Sequence, residues 1–231
     1  MRPYYIFLIF WLPFGFGCNS QPRAQSPTLT SREKQILDSL QIDTSLIIEL
    51  RQYNSSGIEP FHYSLSKIIE NGKEIESDPI YLRGIVFTEK YKTAHDLVEK
   101  LRHKFKIKGY SIFVLESHFN IDSQPDDLAV LKTADKYEVI RQIQTSGMNY
   151  NITNDSLLKI IKRFDNKYAL DLVGASGDWC EFVINKEPKS WLTFAKEVYQ
   201  VCPDVVDQGT ETVQALADEM KRTKRLYVWW D

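Results

Sequence analysis

The chain has 231 residues, 43% of them hydrophobic and 26% charged, which is ordinary globular material for one or two domains with a real core. A net charge of -2 gives no general basis for holding nucleic acid or an anionic surface, so no nucleic-acid partner is expected. Local basic runs have to be judged one at a time.

Arg2 is followed by an apolar run from Tyr4 to Phe16 and then by Gly17-Cys18-Asn19-Ser20. A basic start, a short apolar segment and a small residue before a cysteine resemble a bacterial lipoprotein signal. The run is too short to span a bilayer, which needs about 20 apolar residues. Residues 1–17 are therefore expected to be a signal peptide, with palmitate-type lipid on Cys18 anchoring the protein to a membrane of the cell envelope, facing the periplasm or the surface. Simple secretion and an uncleaved anchor are the alternatives. Residues 18–29, rich in Gln, Ser and Pro, read as a tether. With Cys18 lipidated, Cys180 and Cys202 remain, either as a disulfide in an oxidising space or as two buried thiols.

Residues 30–119 form the N-terminal part of the folded region. Thr30-Ser31-Arg32-Glu33 has the spacing of a capping box, and Ile36, Leu37 and Leu40 follow on one helical face. Ile42 to Leu50 is too short and too apolar for its period to separate helix from strand. Asn71-Gly72 predicts a hairpin between Phe61 to Ile69 and Ile75 to Phe87. Tyr81 to Phe87 reads as a strand. Ala94, Leu97, Val98, Leu101 and Phe105 mark a helix face, and Tyr110 to Leu115 and Leu128 to Leu131 read as strands.

Asp135 opens a helix carrying Tyr137, Ile140 and Ile143, and Asn154-Asp155-Ser156 leads into another with Leu157, Ile160, Ile161 and Phe164 inward. Strands at Tyr168 to Val173 and Trp179 to Ile184 are joined through Gly174 to Asp178. Pro188 is expected to open a helix with Trp191, Phe194, Ala195 and Val198 inward. A tight polar loop then runs from Cys202 to Gly209, followed by a helix on Val213, Leu216, Ala217 and Met220. The closing Leu226 to Asp231 contains two tryptophans, each burying roughly 150–250 Å² when docked, so this last strand is expected inside a sheet.

The fold class is therefore α+β, a mixed sheet flanked by helices. Leu97-Val98, Leu101 and Phe105 are echoed by Leu157-Leu158, Ile161 and Phe164, which predicts two similar helix-strand-strand-helix halves unless packing alone produced the echo.

The strongest polar candidates lie in the Cys202 to Gly209 loop. Asp204 and Asp207, three apart with Gln208 adjacent, have the residue types that converge on a cation or polar ligand. The bland reading is that Pro203 stops one helix, Gly209 supplies a positive φ, and Asp207 or Thr210 caps the next. Cys202 would need a base to act as a nucleophile, and the histidines are distant in sequence. Asp231 adds two carboxylates at the terminus. Trp179, Trp191 and Trp229 are the aromatics that would line an apolar ligand pocket.

His95, Glu99 and His103 are expected on a solvated helix face, and Lys221 to Arg225 at a helix end facing water. No P-loop, dinucleotide fingerprint, nucleophile elbow or metalloprotease motif is present, so neither a cofactor nor a metal is expected.

Trp191, Phe194-Ala195, Cys202-Pro203-Asp204, Asp207-Gln208-Gly209-Thr210 and the closing Trp229-Trp230-Asp231 resemble a bacterial family of unknown function, number 4253. The resemblance covers roughly 120–231 and implies no activity, cofactor or catalytic residue. The resulting expectation is an exported lipoprotein acting as a non-catalytic binding or interaction module for an unknown protein or small molecule. The alternative is a hydrolase or metal-assisted enzyme using the Cys202 to Gly209 loop.

Overall fold

The computed structural model describes residues 28–63, 67–70, 73–76, 79–119 and 121–230. The expected signal peptide, Cys18 and most of the tether lie outside the described residues, as does Asp231. Among the described residues, no helix is long and apolar enough to cross a membrane.

The architecture is α+β, as the patterning predicts. Helix α1 (Ser31–Leu40) begins at the expected capping box, in which Thr30 Oγ accepts from Glu33 N and the Glu33 carboxylate accepts from Thr30 N. The ambiguous stretch is a second helix, α2 (Thr44–Leu50), started by Asp43 accepting from Ser45 N. Its Leu46, Ile47 and Leu50 are fully buried, so tertiary packing settles what the period does not.

Strands β1 (Glu59–Tyr63) and β4 (Ile80–Glu89) pair antiparallel. Between them β2 (Lys67–Glu70) and β3 (Lys73–Glu76) form a separate two-stranded sheet with Glu70 opposite Lys73; Asn71 and Gly72, where a turn is expected, lie outside the described residues. The single long hairpin expected from Asn71-Gly72 is thus divided between two sheets. Helix α3 (Tyr91–Ile107) buries all five residues of its predicted stripe.

Strand β5 (Ser111–Glu116), strand β6 (Asp126–Leu131) and helix α4 (Lys136–Ile143) follow, then helix α5 (Asn154–Tyr168), strand β7 (Leu170–Ala175), strand β8 (Trp179–Ile184) and helix α6 (Trp191–Tyr199). Helix-strand-strand-helix therefore occurs twice in succession. Two predicted starts move. Thr153 caps α5, while Asn154 turns its amide to Ile140 O and Thr145 O at 2.9 Å each, tying α5 to the end of α4. Ser190 rather than Pro188 precedes the first turn of α6, accepting from Thr193 N. Helix α7 (Val213–Thr223) and strand β9 (Arg225–Trp229) end the chain.

The main sheet has seven strands in the order β1-β4-β6-β5-β7-β8-β9. Only the central β5 and β7 run parallel, which makes it mixed. The C-terminal strand lies in the sheet, as expected, but as an edge strand. Both faces are covered, so strand residues alternate between two cores: Ile112 and Val114 pack with α1, α2 and α3, whereas Phe113 packs with α4 to α7. Helices α3 and α5, which begin the two halves, sit on opposite faces. Helix α6 joins α4 and α5 on one face, so the halves match in element order and not in helix placement. Helix α3 packs over β5 to β7, and over the outer pair, β8 and β9, the same face opens into a cleft.

A cleft over the last two strands as candidate site

The register of β8 and β9 builds the floor of this cleft. Trp179 stands opposite Trp229, Glu181 opposite Tyr227 and Val183 opposite Arg225, and alternation places all six on one face. The intervening Cys180, Phe182, Leu226 and Val228 point into the other core. On the cleft face the rings form a row, with centroids 5.5 Å apart from Trp179 to Tyr227 and 5.6 Å from Tyr227 to Trp229.

Glycines seat two of these rings. A β-carbon on Gly174 would fall 2.5 Å from Trp179 Cζ3, and one on Gly209 would fall 2.7 Å from Trp229 Cη2. Gly174 also sits at a bulge where β7 slips against β8, and a second bulge lies between Val114 and Glu116 of β5. Such irregularities re-aim side chains at the end of a sheet.

The cavity is about 580 Å³, within the usual range for small-molecule sites. Leu216, Glu219 and Met220 of α7, with Val205 and Gly209, line the side facing away from α3. At the mouth, Tyr91 and Phe119 approach each other at 6.5 Å, and Phe119 is 61% exposed on a backbone with φ 49°. A larger hollow of about 730 Å³ lies near Asn54 and Glu89. There the Glu89 carboxylate already accepts from Asn54, Thr93 and the Lys90 N–H, so that acid is engaged within the protein.

Polar groups converge beside the aromatic row. Glu181 Oε2 meets His95 Nε2 at 2.8 Å, and Glu181 Oε1 meets Arg225 Nη1 at 3.4 Å. Arg225 also donates to Glu99 at 2.9 Å, and Glu99 in turn accepts from Arg102 at 2.8 Å. The hydrogen bond to Glu181 raises the His95 pKa above its ordinary 6.5 against the opposing effect of burial, and Asp126 adds to the rise. Burial pushes the Tyr227 hydroxyl well above its usual range, and Glu181, Asp178 and Glu116 push it the same way. Fully buried Asp126 uses Oδ1 to accept from His118 N at 2.9 Å and from Ser117 Oγ at 3.3 Å. Its Oδ2 has no hydrogen-bond partner among the described residues.

Two expectations are corrected here. His95 and Glu99 are half-buried rather than on a solvated face: α3 lies beside the β8–β9 face and turns both toward Glu181 and Arg225. Arg225, expected at a solvated helix end, is the first residue of β9 and points onto the same face. No local motif announces this group, because its members come from a helix and two strands that meet only in the fold.

The residues singled out in the Cys202 to Gly209 stretch go elsewhere. It is not a tight loop but a π-helical segment, Val205–Thr210, in which Glu211 N donates to Val206 O at 2.8 Å. Gly209 does not adopt a positive φ; its value is the space it leaves for Trp229. Neither Asp207 nor Thr210 caps α7, since Thr212 accepts from Ala215 N at 3.1 Å.

Asp204 is buried and accepts from Tyr150 Oη and from Gln208 Nε2 (3.1 Å), while Asp207 accepts from Tyr199 at 3.0 Å. Cys202 Sγ donates to Trp229 O at 2.9 Å, and burial pushes its thiol up to about 12, so it is no thiolate at neutral pH. Cys180 and Cys202 are both free and buried. None of Cys202, Asp204, Asp207 and Gln208 lines the cleft.

Of the candidate aromatics, Trp179 and Trp229 line the cleft. Trp191 lies outside it with the Lys224 ammonium 4.9 Å above its ring. Among the described residues, no three His, Cys, Asp or Glu side chains are grouped to hold a metal ion. No curated protein and no solved structure matches the chain. The C-terminal part, residues 127–231, which supplies the floor and the α7 side of the cleft, matches the family described as a domain of unknown function (DUF4253).

Proposed function

We propose that the protein is a non-catalytic binding module whose ligand is a small organic molecule held in the cleft over β8 and β9, carried at the cell envelope by lipid on Cys18. The observation that supports it is the row Trp179, Tyr227 and Trp229 beside the bonded group His95, Glu181 and Arg225, in a cavity of about 580 Å³. Ligand sites are typically apolar and aromatic walls with a few placed polar groups. Here the wall supplies contact area and the polar group supplies orientation.

Binding is tested by tryptophan fluorescence and thermal midpoint of the full-length protein against a panel of small amines, sugars, nucleosides and carboxylates. A ligand bound by the native state raises the midpoint. A hit that shifts both signals and is lost in Trp229→Leu supports the reading. A panel that shifts neither, or a hit indifferent to Trp229, refutes it. Palmitate labelling abolished by Cys18→Ser tests the anchor.

A further inference from the structure

We propose that the cleft takes an organic cation, an ammonium or quaternary ammonium group seated against the rings of Trp179, Tyr227 and Trp229; this rests on the binding reading above. The faces of Trp and Tyr carry the negative end of the ring quadrupole and attract a cation placed within about 6 Å of the centroid. Three such rings stand in a row, with neighbouring centroids 5.5 and 5.6 Å apart.

The surrounding charge has the matching sign. The cationic side chains lining the cleft, His95 and Arg225, are both engaged with Glu181, and Arg225 also with Glu99. Neither is left over to recruit an anion. Of the two carboxylates lining the cleft, Glu181 is the one they engage, while the Glu219 side chain has no ion pair among the described residues; Glu99 is held between Arg225 and Arg102, and Glu116 and Asp178 act on the Tyr227 hydroxyl. Asp126, which does not itself line the cavity, adds its negative charge on the His95 side. A neutral ring or a sugar would use the aromatic wall but would leave this surplus of negative charge unused. An anion would be opposed by it.

The test measures binding of choline and tyramine to the full-length protein by tryptophan fluorescence and calorimetry, against their uncharged isosteres 3,3-dimethylbutan-1-ol and 4-propylphenol. Each cation should bind at least about tenfold more tightly than its isostere. The preference should shrink several-fold in Glu219→Lys, a substitution at an exposed position of α7 that leaves the core intact. Isosteres that bind as well as the cations would overturn the cation assignment and leave the cleft as a binding site. Carboxylates or sugars that bind while both cations fail would do the same. If no probe of any charge changes either signal, the binding reading falls, and this proposal with it.

Discussion

His95 Nε2 lies 2.8 Å from Glu181 Oε2, joining the second turn of a long helix to the second-last strand across 86 residues of sequence. The pairing holds the His95 pKa above 6.5, so it stabilises the fold fully below that unfolded value and less as pH rises through the folded one. The charged groups facing the ring are Glu181 and Arg225 on the outer strands and Asp126 on β6. In urea titrations between pH 5 and 9, the stability advantage of the wild type over His95→Asn is expected to be largest at the acid end and to decline toward pH 9. A gap that stays constant with pH would mean that packing, not charge, joins the two residues.

Gly209→Ala should lower stability by about 1–3 kcal/mol, the usual range for overpacking. Its β-carbon would sit 2.7 Å from the far end of the Trp229 ring, and the ring has to move. Because that ring lines the cleft, the same substitution should change tryptophan emission and weaken any ligand of the cleft. Wild-type stability and emission in the variant would show that the added methyl is accommodated without displacing the ring.

Asp204→Ala and Asp207→Ala should separate sharply. Asp204 is 2% exposed and accepts from Tyr150 and Gln208, so its loss removes two hydrogen bonds to a carboxylate and empties a packed position, at a cost of about 1–3 kcal/mol. Asp207 meets only the exposed Tyr199 hydroxyl among the hydrogen bonds described, and its replacement should stay within about 0.5 kcal/mol. Denaturant midpoints decide this, and equal losses at the two positions would contradict the different burial.

Cys180 and Cys202 should resist alkylation in the native protein and react at once after denaturation. Burial holds the Cys180 thiol well above its usual value and Cys202 at about 12. The count is made in Cys18→Ser, which removes the third cysteine. Rapid native labelling of either would point to an opening that exposes the core.

The capping box is the local feature most directly tested. Thr30→Ala removes the hydroxyl that accepts from Glu33 N and should cost about 1 kcal/mol by thermal or chemical unfolding. A variant as stable as the wild type would show that the Glu33 carboxylate alone holds this end of α1.

The amino-acid order by itself determined which segments are helix and which are strand wherever a long stripe or a cap marked them, as in α3, α5, α7 and the Thr30 capping box. It also carried the mixed α+β class, the twice-used helix-strand-strand-helix order and the likeness of the C-terminal part of the chain to a described family. These are properties of residues near one another in sequence: a period of 3.6 or 2, a hydroxyl three positions before a glutamate, a spaced set of aromatics and acids. What only the tertiary structure decided is where distant residues meet. Trp179 stands opposite Trp229 because of strand register, and Glu181 finds His95 and Arg225 because α3 and β9 converge on the same face. Gly209 reads locally as a turn residue, yet its role is set by an indole twenty residues away. The polar loop, so prominent as a sequence, spends its aspartates on neighbouring tyrosines, because a residue's type does not say which of its possible partners the fold brings within bonding distance.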